Sequence, residues 1–354
     1  MKNSAQVVVI GGGVVGASVL YHLTKAGWTD VMLLERAEYT AGSTWHSAGG
    51  MHTLNGDPNV AKLQQYTIKL YEEIEKESGM DASMHITGGV MLADTPERMD
   101  WLKMSHARGR YLGMDTELIS VAEAKELLPI LDEQYFVGAM WDANEGHLDP
   151  SQITHAYLEC ARNRGAETVR HSWVREIKRA SDGGWDLTVY DTKSDEDKAT
   201  VHCEHVVNAG GLWAREVGRM VGLELPLLAM EHMYLLTEPI PEIIEHNKTT
   251  GKQIIHAIDF GGEIYMRQEG DGLLLGTYEQ GGKPWAQRQT PWDFGARLLT
   301  PDLERIADSL DTGFKHFPVF AEAGIKQVIN GPFTFAPDGN PLLGPVRGLP
   351  GYWS

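Results

Sequence analysis

Apolar and polar positions change period several times along the chain, and each change marks an element. Val7, Val8, Val9 and Ile10 form an unbroken apolar run, the pattern of a parallel strand covered on both faces. Val14, Ala17, Leu20 and Leu23 or Thr24 then follow helical spacing, and Gly27 suits the position just past a helix end. A second apolar run, 31–34, predicts another buried strand. Residues 86–93 (ITGGVMLA) read as a strand, 96–112 and 121–128 as helices, and YFVGAMW as a short strand. Asp149, Pro150 and Ser151 open a helix that runs to about Asn163, with Gly165 as its stop. VRHSWVREIKRA and GGWDLTVYDT predict a hairpin, KSDEDK at 193–198 a solvated turn, and ATVHCEHVVNAGG an apolar strand ending in Gly210-Gly211. In LLAMEHMYLLTE the alternation puts Met230, His232 and Tyr234 on one face, and in GEIYMRQEG it does the same for Tyr265 and Arg267. TPDLERIADSL predicts a helix capped by Thr300 with Pro301 at its first position, and Asp338-Gly339-Asn340-Pro341 predicts a turn.

The first strand and helix are joined by GGGVVG, which fits G-x-G-x-x-G. Gly11 permits the tight turn, Gly13 lets backbone approach a pyrophosphate, and Gly16 lets the helix pack close to the strand. The helix N-terminus offers free N–H groups and partial positive charge to phosphates. Glu35 ends the second strand 19 residues beyond Gly16, where an acid meets a ribose hydroxyl, although a solvated strand-end acid has the same spacing. The unit predicts a bound dinucleotide without separating NAD from FAD. The strand-rich middle speaks against an NAD-dependent dehydrogenase.

Composition narrows the classes. The chain has 354 residues, enough for two domains, and 42% are hydrophobic, enough for a sizeable core. With 31 Lys and Arg against 49 Asp and Glu, the net charge of −18 argues against nucleic acid or an anionic membrane as the main partner. Cys160 and Cys203 build no disulfide framework, so a reducing, cytoplasmic setting is expected. No apolar run is long enough to span a membrane. The first strand begins by about residue 6, which leaves no room for a leader peptide, and the ending GLPGYWS lacks a terminal helix, so a C-terminally truncated fragment is expected.

The string TWHSAGG follows the dinucleotide unit. Small residues around Trp45 and His46 let backbone approach a flat ligand, and a neutral imidazole is a nucleophile. The 8-methyl group of an oxidised flavin tautomerises to an electrophile to which a held imidazole adds. The bland readings are a hydrogen-bonded loop histidine, or His46 and His52 as half of a metal site. No Cys or carboxylate cluster nearby completes such a site, so no metal is expected.

GGGVVG, LLER, STWHSAGG, TGGVMLA, DPSQITHA, VVNAGGLWA, EHMYLLTE, IYMRQE and TFAPDGNPLLGP together resemble the FAD-dependent dimethylglycine and sarcosine dehydrogenase group of the glycine and D-amino-acid oxidase (DAO) superfamily. The resemblance covers nearly the whole chain. It implies an α/β fold: a Rossmann-like FAD-binding domain interleaved with an α+β substrate domain on a mixed or antiparallel sheet. The expected boundaries are 1–88, 150–226 and 325–354 for the FAD domain, and 89–149 and 227–324 for the substrate domain. It implies FAD held covalently through His46, with Gly11, Gly13, Gly16, Glu35, Arg36, Ser43, Thr44, Gly49, Gly50, Val174, Ala209, Gly210 and Trp213 at the cofactor. Trp213 reads equally as core. His232 and Tyr265 match the group's substrate-pocket histidine and tyrosine. Arg267 as a clamp for a substrate carboxylate comes from strand parity, and pairing with Glu263 or Glu269 is the competing reading. The implied reaction is oxidative demethylation of an N-methylated glycine-type amine, with tetrahydrofolate and an electron-transfer flavoprotein as partners of a full-length protein. A non-catalytic regulatory subunit with the same fold, or an amino-acid oxidase with noncovalent FAD, are the alternatives.

Overall fold

The computed structural model describes residues 1–354 and contains two large sheets. The first has seven strands. Ser4–Ile10 runs parallel to Val31–Leu34 on one side and to Glu196–Asn208 on the other. Glu167–Val169 lies outside Val31–Leu34, and the antiparallel strands Trp185–Asp191 and Ser172–Arg179 extend the opposite edge. Tyr352–Trp353 pairs parallel with Glu196–Asn208, and Tyr352 is fully buried. The unbroken apolar run at 7–10 has a plain cause. Val7 and Val9 pack under the helices Val14–Lys25, Pro58–Ser78 and Pro150–Asn163, in a core with Leu20, Tyr21, Ile74 and Tyr157. Val8 and Ile10 enter the core on the other face, with Met32, Val174, Leu187 and Val206. Asp149 caps the helix Pro150–Asn163 by accepting from Ser151 N at 2.7 Å and Gln152 N at 2.9 Å.

The second sheet has nine strands in the order Pro284–Trp285, Leu228–Thr237, Gly272–Thr277, Ile264–Glu269, His256–Asp259, Gly89–Ala93, Gly138–Asp142, Thr116–Ile119, with Ile325–Phe335 along Leu228–Thr237. Its neighbours are antiparallel except His256–Asp259 with Gly89–Ala93. Alternation sorts the two faces. Met233, Leu235, Met266 and Leu275 enter a core with Ile243, Ile306, Leu310 and Phe317. His232, Tyr234, Tyr265 and Arg267 have the opposite parity and line a cavity. A two-stranded ribbon, Gly50–Met51 with Gly146–His147, joins the loop after His46 to the turn that follows Gly138–Asp142. No helix is long and apolar enough to cross a membrane.

Three expectations are corrected. Residues from 325 do not return directly to the expected FAD-binding domain: Ile325–Phe335 pairs with Leu228–Thr237 over most of its length and belongs to the second sheet. The helix expected from Thr300 begins as a 3-10 turn, Glu304–Ile306, and becomes regular only at Ala307–His316. Asn330 explains the delay, because its Nδ2 donates to Thr300 O at 2.8 Å and its carbonyl accepts from Leu299 N at 2.8 Å, holding 299–300 against the strand. The strand expected across 169–180 breaks at His171, whose φ of 54° lies in the left-handed region.

Gly16 tests the glycine turn. A Cβ there would lie 2.0 Å from Gly11 O. Gly16→Ala should therefore separate helix from strand, cost on the order of 1–3 kcal/mol and reduce flavin content. Thermal unfolding and the ratio of absorbance at 450 to 280 nm (wavelengths on the order of the flavin and protein bands) check both.

Candidate active site

Two cavities meet at Val14, Ser43 and Ser47. The narrower, about 310 Å³, is bounded by Gly11–Gly13, Leu34–Arg36, 41–44, 172–174 and 209–213. Glu35 does not point free into it. Its Oε2 accepts from Gly12 N and its Oε1 from Ala37 N, both at 2.7 Å, and burial raises its pKa against those two hydrogen bonds. Arg36 lies over the Trp213 ring at 4.6 Å and donates to the Phe294 carbonyl at 2.9 Å and to that of Trp292. Trp213 Nε1 in turn donates to Pro291 O at 3.0 Å. These contacts wall the cleft with residues from both halves of the chain.

The wider cavity, about 740 Å³, lies between the loop 46–52 and the polar face of the second sheet. His46 sits in the 3-10 turn Thr44–His46, is buried, and packs over Gly331. A Cβ on Gly331 would meet His46 Nδ1 at 2.3 Å, and Gly331 is the register partner of His232. Tyr234 Oη donates to His46 O at 3.1 Å and Ser43 Oγ to Pro332 O at 2.8 Å, which pins the loop to the sheet. His46 Nε2 is buried without a hydrogen-bond partner. His232 Nε2 stands 3.4 Å from Tyr265 Oη, with the two rings parallel, and Tyr278 and Phe333 flank the histidine at centroid distances of 5.0 Å. Arg267 Nε donates to Ala48 O at 2.5 Å, Nη1 donates to Gln268 O at 2.7 Å, and Nη1 lies 2.6 Å from Glu269 Oε2. Of the two competing readings for Arg267, pairing with Glu269 is realised. A forked grip on a substrate is not available, because Nε and Nη1 are already engaged.

A family model described as FAD dependent oxidoreductase (DAO) matches residues 6–354. The chain belongs to the DAO family. It is 38% identical to mitochondrial dimethylglycine dehydrogenase of Mus musculus over 357 residues, 99% of this chain and 40% of that protein. It is 31% identical to mitochondrial sarcosine dehydrogenase of Homo sapiens, over 100% of this chain and 37% of that protein. The mitochondrial pyruvate dehydrogenase phosphatase regulatory subunit of Mus musculus is also 31% identical, over 100% of this chain and 39% of that protein. The chain thus spans about two fifths of the length of these curated relatives. Among solved structures it resembles L-proline dehydrogenase from P. horikoshii, with a TM-score of 0.83, 25% identity and coverage of 100% and 87% of the two chains. Glycine oxidase from Geobacillus kaustophilus shares the fold, with a TM-score of 0.79, 23% identity and coverage of 99% and 88%.

The paired cavities suit the cofactor of a DAO-family chain: a cleft beside the glycine turn for the dinucleotide, opening into a wider space for a ring. Of the residues expected at the cofactor, Gly11, Gly13, Glu35, Arg36, Ser43, Thr44, Val174, Ala209, Gly210 and Trp213 border the narrow cleft. Ser43, His46, Gly49 and Gly50 border the wide one, as do His232, Tyr265 and Arg267. Gly16 borders neither and acts in packing. Sequence reasoning missed Tyr278, Phe333 and Gly331. Gly331 and Phe333 lie within the strand Ile325–Phe335 and Tyr278 just follows Gly272–Thr277, and only the pairing of these strands with Leu228–Thr237 or Ile264–Glu269 brings them beside His232.

Burial sets the charge state of the site. It pushes His46 down to about 4, and it does the same for His232 with help from Arg305 and His46. His147, buried beside Arg267, is pushed down to about 3. All three imidazoles are neutral at pH 7, while burial keeps Tyr265 and Tyr234 protonated. For a histidine whose pKa falls on folding, the unfolded chain binds more protons once the pH drops below about 6.5. Stability is therefore full above that pH and declines as pH falls from about 6.5 toward 4, at a limiting slope of about 1.4 kcal/mol per pH unit for each histidine. Urea unfolding midpoints measured across that interval should fall, and His46→Gln should make the fall shallower.

Proposed function

We propose that this chain is the amine-oxidising unit of a flavoenzyme acting on an N-methylated glycine-type substrate, with FAD tethered through His46. One observation carries the reading: His46, His232, Tyr265 and Arg267 converge on a single cavity that opens from the dinucleotide cleft. FAD held in the cleft would supply a two-electron acceptor for the hydride of the N-methyl carbon.

The chain's own residues bind, orient and manage protons. The apolar setting that keeps His232 neutral also favours the uncharged form of the substrate amine, and His232 orients that amine by a hydrogen bond so that its lone pair is free to assist hydride loss. Tyr265 Oη, protonated and beside His232 Nε2, donates a hydrogen bond that orients the amine or the histidine. Arg267 keeps only Nη2 for a substrate carboxylate, so it contributes charge and one hydrogen bond rather than a fork. Tyr278 and Phe333 narrow the apolar side, where an N-methyl group packs. His46 fits the tether because its imidazole is neutral, buried and lacks a partner at Nε2. Hydrolysis of the iminium product gives formaldehyde and the demethylated amine. In a longer protein, tetrahydrofolate captures the one-carbon unit and an electron-transfer flavoprotein takes the electrons.

Acid-denatured protein run on a gel should show flavin fluorescence in the protein band, and His46→Ala should abolish the band while leaving noncovalent flavin in the native protein. Release of all flavin from the unmodified protein would sink the tether. Dye reduction with sarcosine and dimethylglycine should proceed. Tyr265→Phe and His232→Ala should each lower kcat/KM by roughly 10²–10⁴-fold, the usual contribution of a positioned proton-transfer group. No reduction by any N-methyl amine would favour the regulatory-subunit reading instead.

A further inference from the structure

We propose that His52, Glu145 and His256 bind one divalent transition-metal cation of the zinc class. This inference stands apart from the amine-oxidising reading. His52 follows the strand Gly50–Met51, Glu145 lies just before Gly146–His147, and His256 opens the strand His256–Asp259. Three segments far apart in sequence thus meet at one point. The sequence predicts no metal there, because no spacing motif links positions 52, 145 and 256.

One nitrogen from each imidazole and one carboxylate oxygen lie within 4.8 Å of one another. His52 Nδ1 is 3.2 Å and His256 Nδ1 3.9 Å from the same Glu145 Oε2. Tetrahedral coordination at about 2.1 Å places donor atoms about 3.4 Å apart, which these two distances bracket. The pair of imidazoles stacks at a centroid separation of 4.5 Å. Glu145 is seated over bare backbone, since a Cβ on Gly89 would stand 2.3 Å from its Oε2. Gly50 leaves room beside both rings.

The second observation is the state of these atoms. Glu145 and His256 are each 1% exposed. Neither oxygen of Glu145 and neither ring nitrogen of His256 has a hydrogen-bond partner, and the approach of His52 Nδ1 to Glu145 is not in hydrogen-bond geometry. A buried carboxylate and imidazole without partners carry a large desolvation penalty that native proteins offset. A proton on His52 would answer Glu145 alone. It would leave both ring nitrogens of His256 buried without a partner. One divalent cation engages all three donors. The formal charges then balance: the cation against Glu145 and the neighbouring Asp142, and Arg267 against its partner Glu269. Two histidines and one carboxylate form a donor set used by zinc in three-ligand sites, with the fourth position open to water. His52 and His256 both border the wide cavity, which supplies that position.

The test uses the whole chain, stripped with a chelator and titrated with Zn²⁺, with Mg²⁺ and Ca²⁺ in parallel. The expected result is one Zn²⁺ per chain, a raised unfolding temperature, and little response to the oxygen-seeking cations. Glu145→Gln and His256→Gln should weaken Zn²⁺ binding at least tenfold with the far-ultraviolet circular dichroism unchanged. If either buried variant misfolds, His52→Gln, at the partly exposed member, carries the same expectation. The exposed cluster of His202 with Asp182 and Asp186 provides the control. The proposal fails if zinc does not bind stoichiometrically. It also fails if binding survives in His52→Gln, or is lost in His202→Gln but not in the variants of the buried cluster.

Discussion

The bare backbone of Gly331 under the His46 ring is the contact on which the site depends. Any side chain there would occupy the space of the imidazole. Because Gly331 is paired with His232, the same close approach sets how far His46 stands from the residue assigned to proton handling. Two hydrogen bonds secure the geometry, from Tyr234 Oη to His46 O and from Ser43 Oγ to Pro332 O. The loop after the first sheet is thereby fixed to the face of the second sheet that lines the wide cavity. Two domains with separate cores act as one wall.

Behind that wall a charged network holds the strand pair. Glu231, one residue from His232 and on the opposite face, accepts from Arg305 Nη1 at 3.2 Å and Asn330 Nδ2 at 3.0 Å and pairs with Lys283. Arg305 also donates to Glu279 at 3.1 Å. These partners hold the Glu231 carboxyl below its usual range despite burial, which raises it. The cavity face carries no comparable set of ion pairs around His232. Its rings are instead aromatic, so the low dielectric that keeps His232 neutral is preserved where the chemistry is proposed.

What was legible in the sequence is what neighbouring residues decide. The apolar run at 7–10, the glycine turn and the helix after it follow from local period and local backbone freedom, and the alternation in 228–237 sorted His232 and Tyr234 from Met233 and Leu235 correctly. Features set by distant partners were not legible. Thr300 has the chemistry of a helix cap, but Asn330, from another strand, claims its carbonyl. Arg267 has the parity of a substrate clamp, but Ala48 and Glu269 take most of its donors. Residues 52, 145 and 256 show no spacing motif, and only the ribbon Gly50–Met51 with Gly146–His147, set beside His256–Asp259, unites them.

The strand order also governs how the molecule is made. Ser4–Ile10 is made long before Glu196–Asn208, one of its two neighbours, and Gly11 is closed in by the carbonyl of Ala209. At roughly 5–20 residues per second, a ribosome needs about 10–40 s to deliver that second neighbour. Throughout that interval one edge of a strongly apolar ribbon is unpaired, and the sequence-distant pairing makes closure slow. The cleft beside the glycine turn therefore cannot close until its distant neighbour has been made, and Ser4–Ile10 keeps an open edge until then.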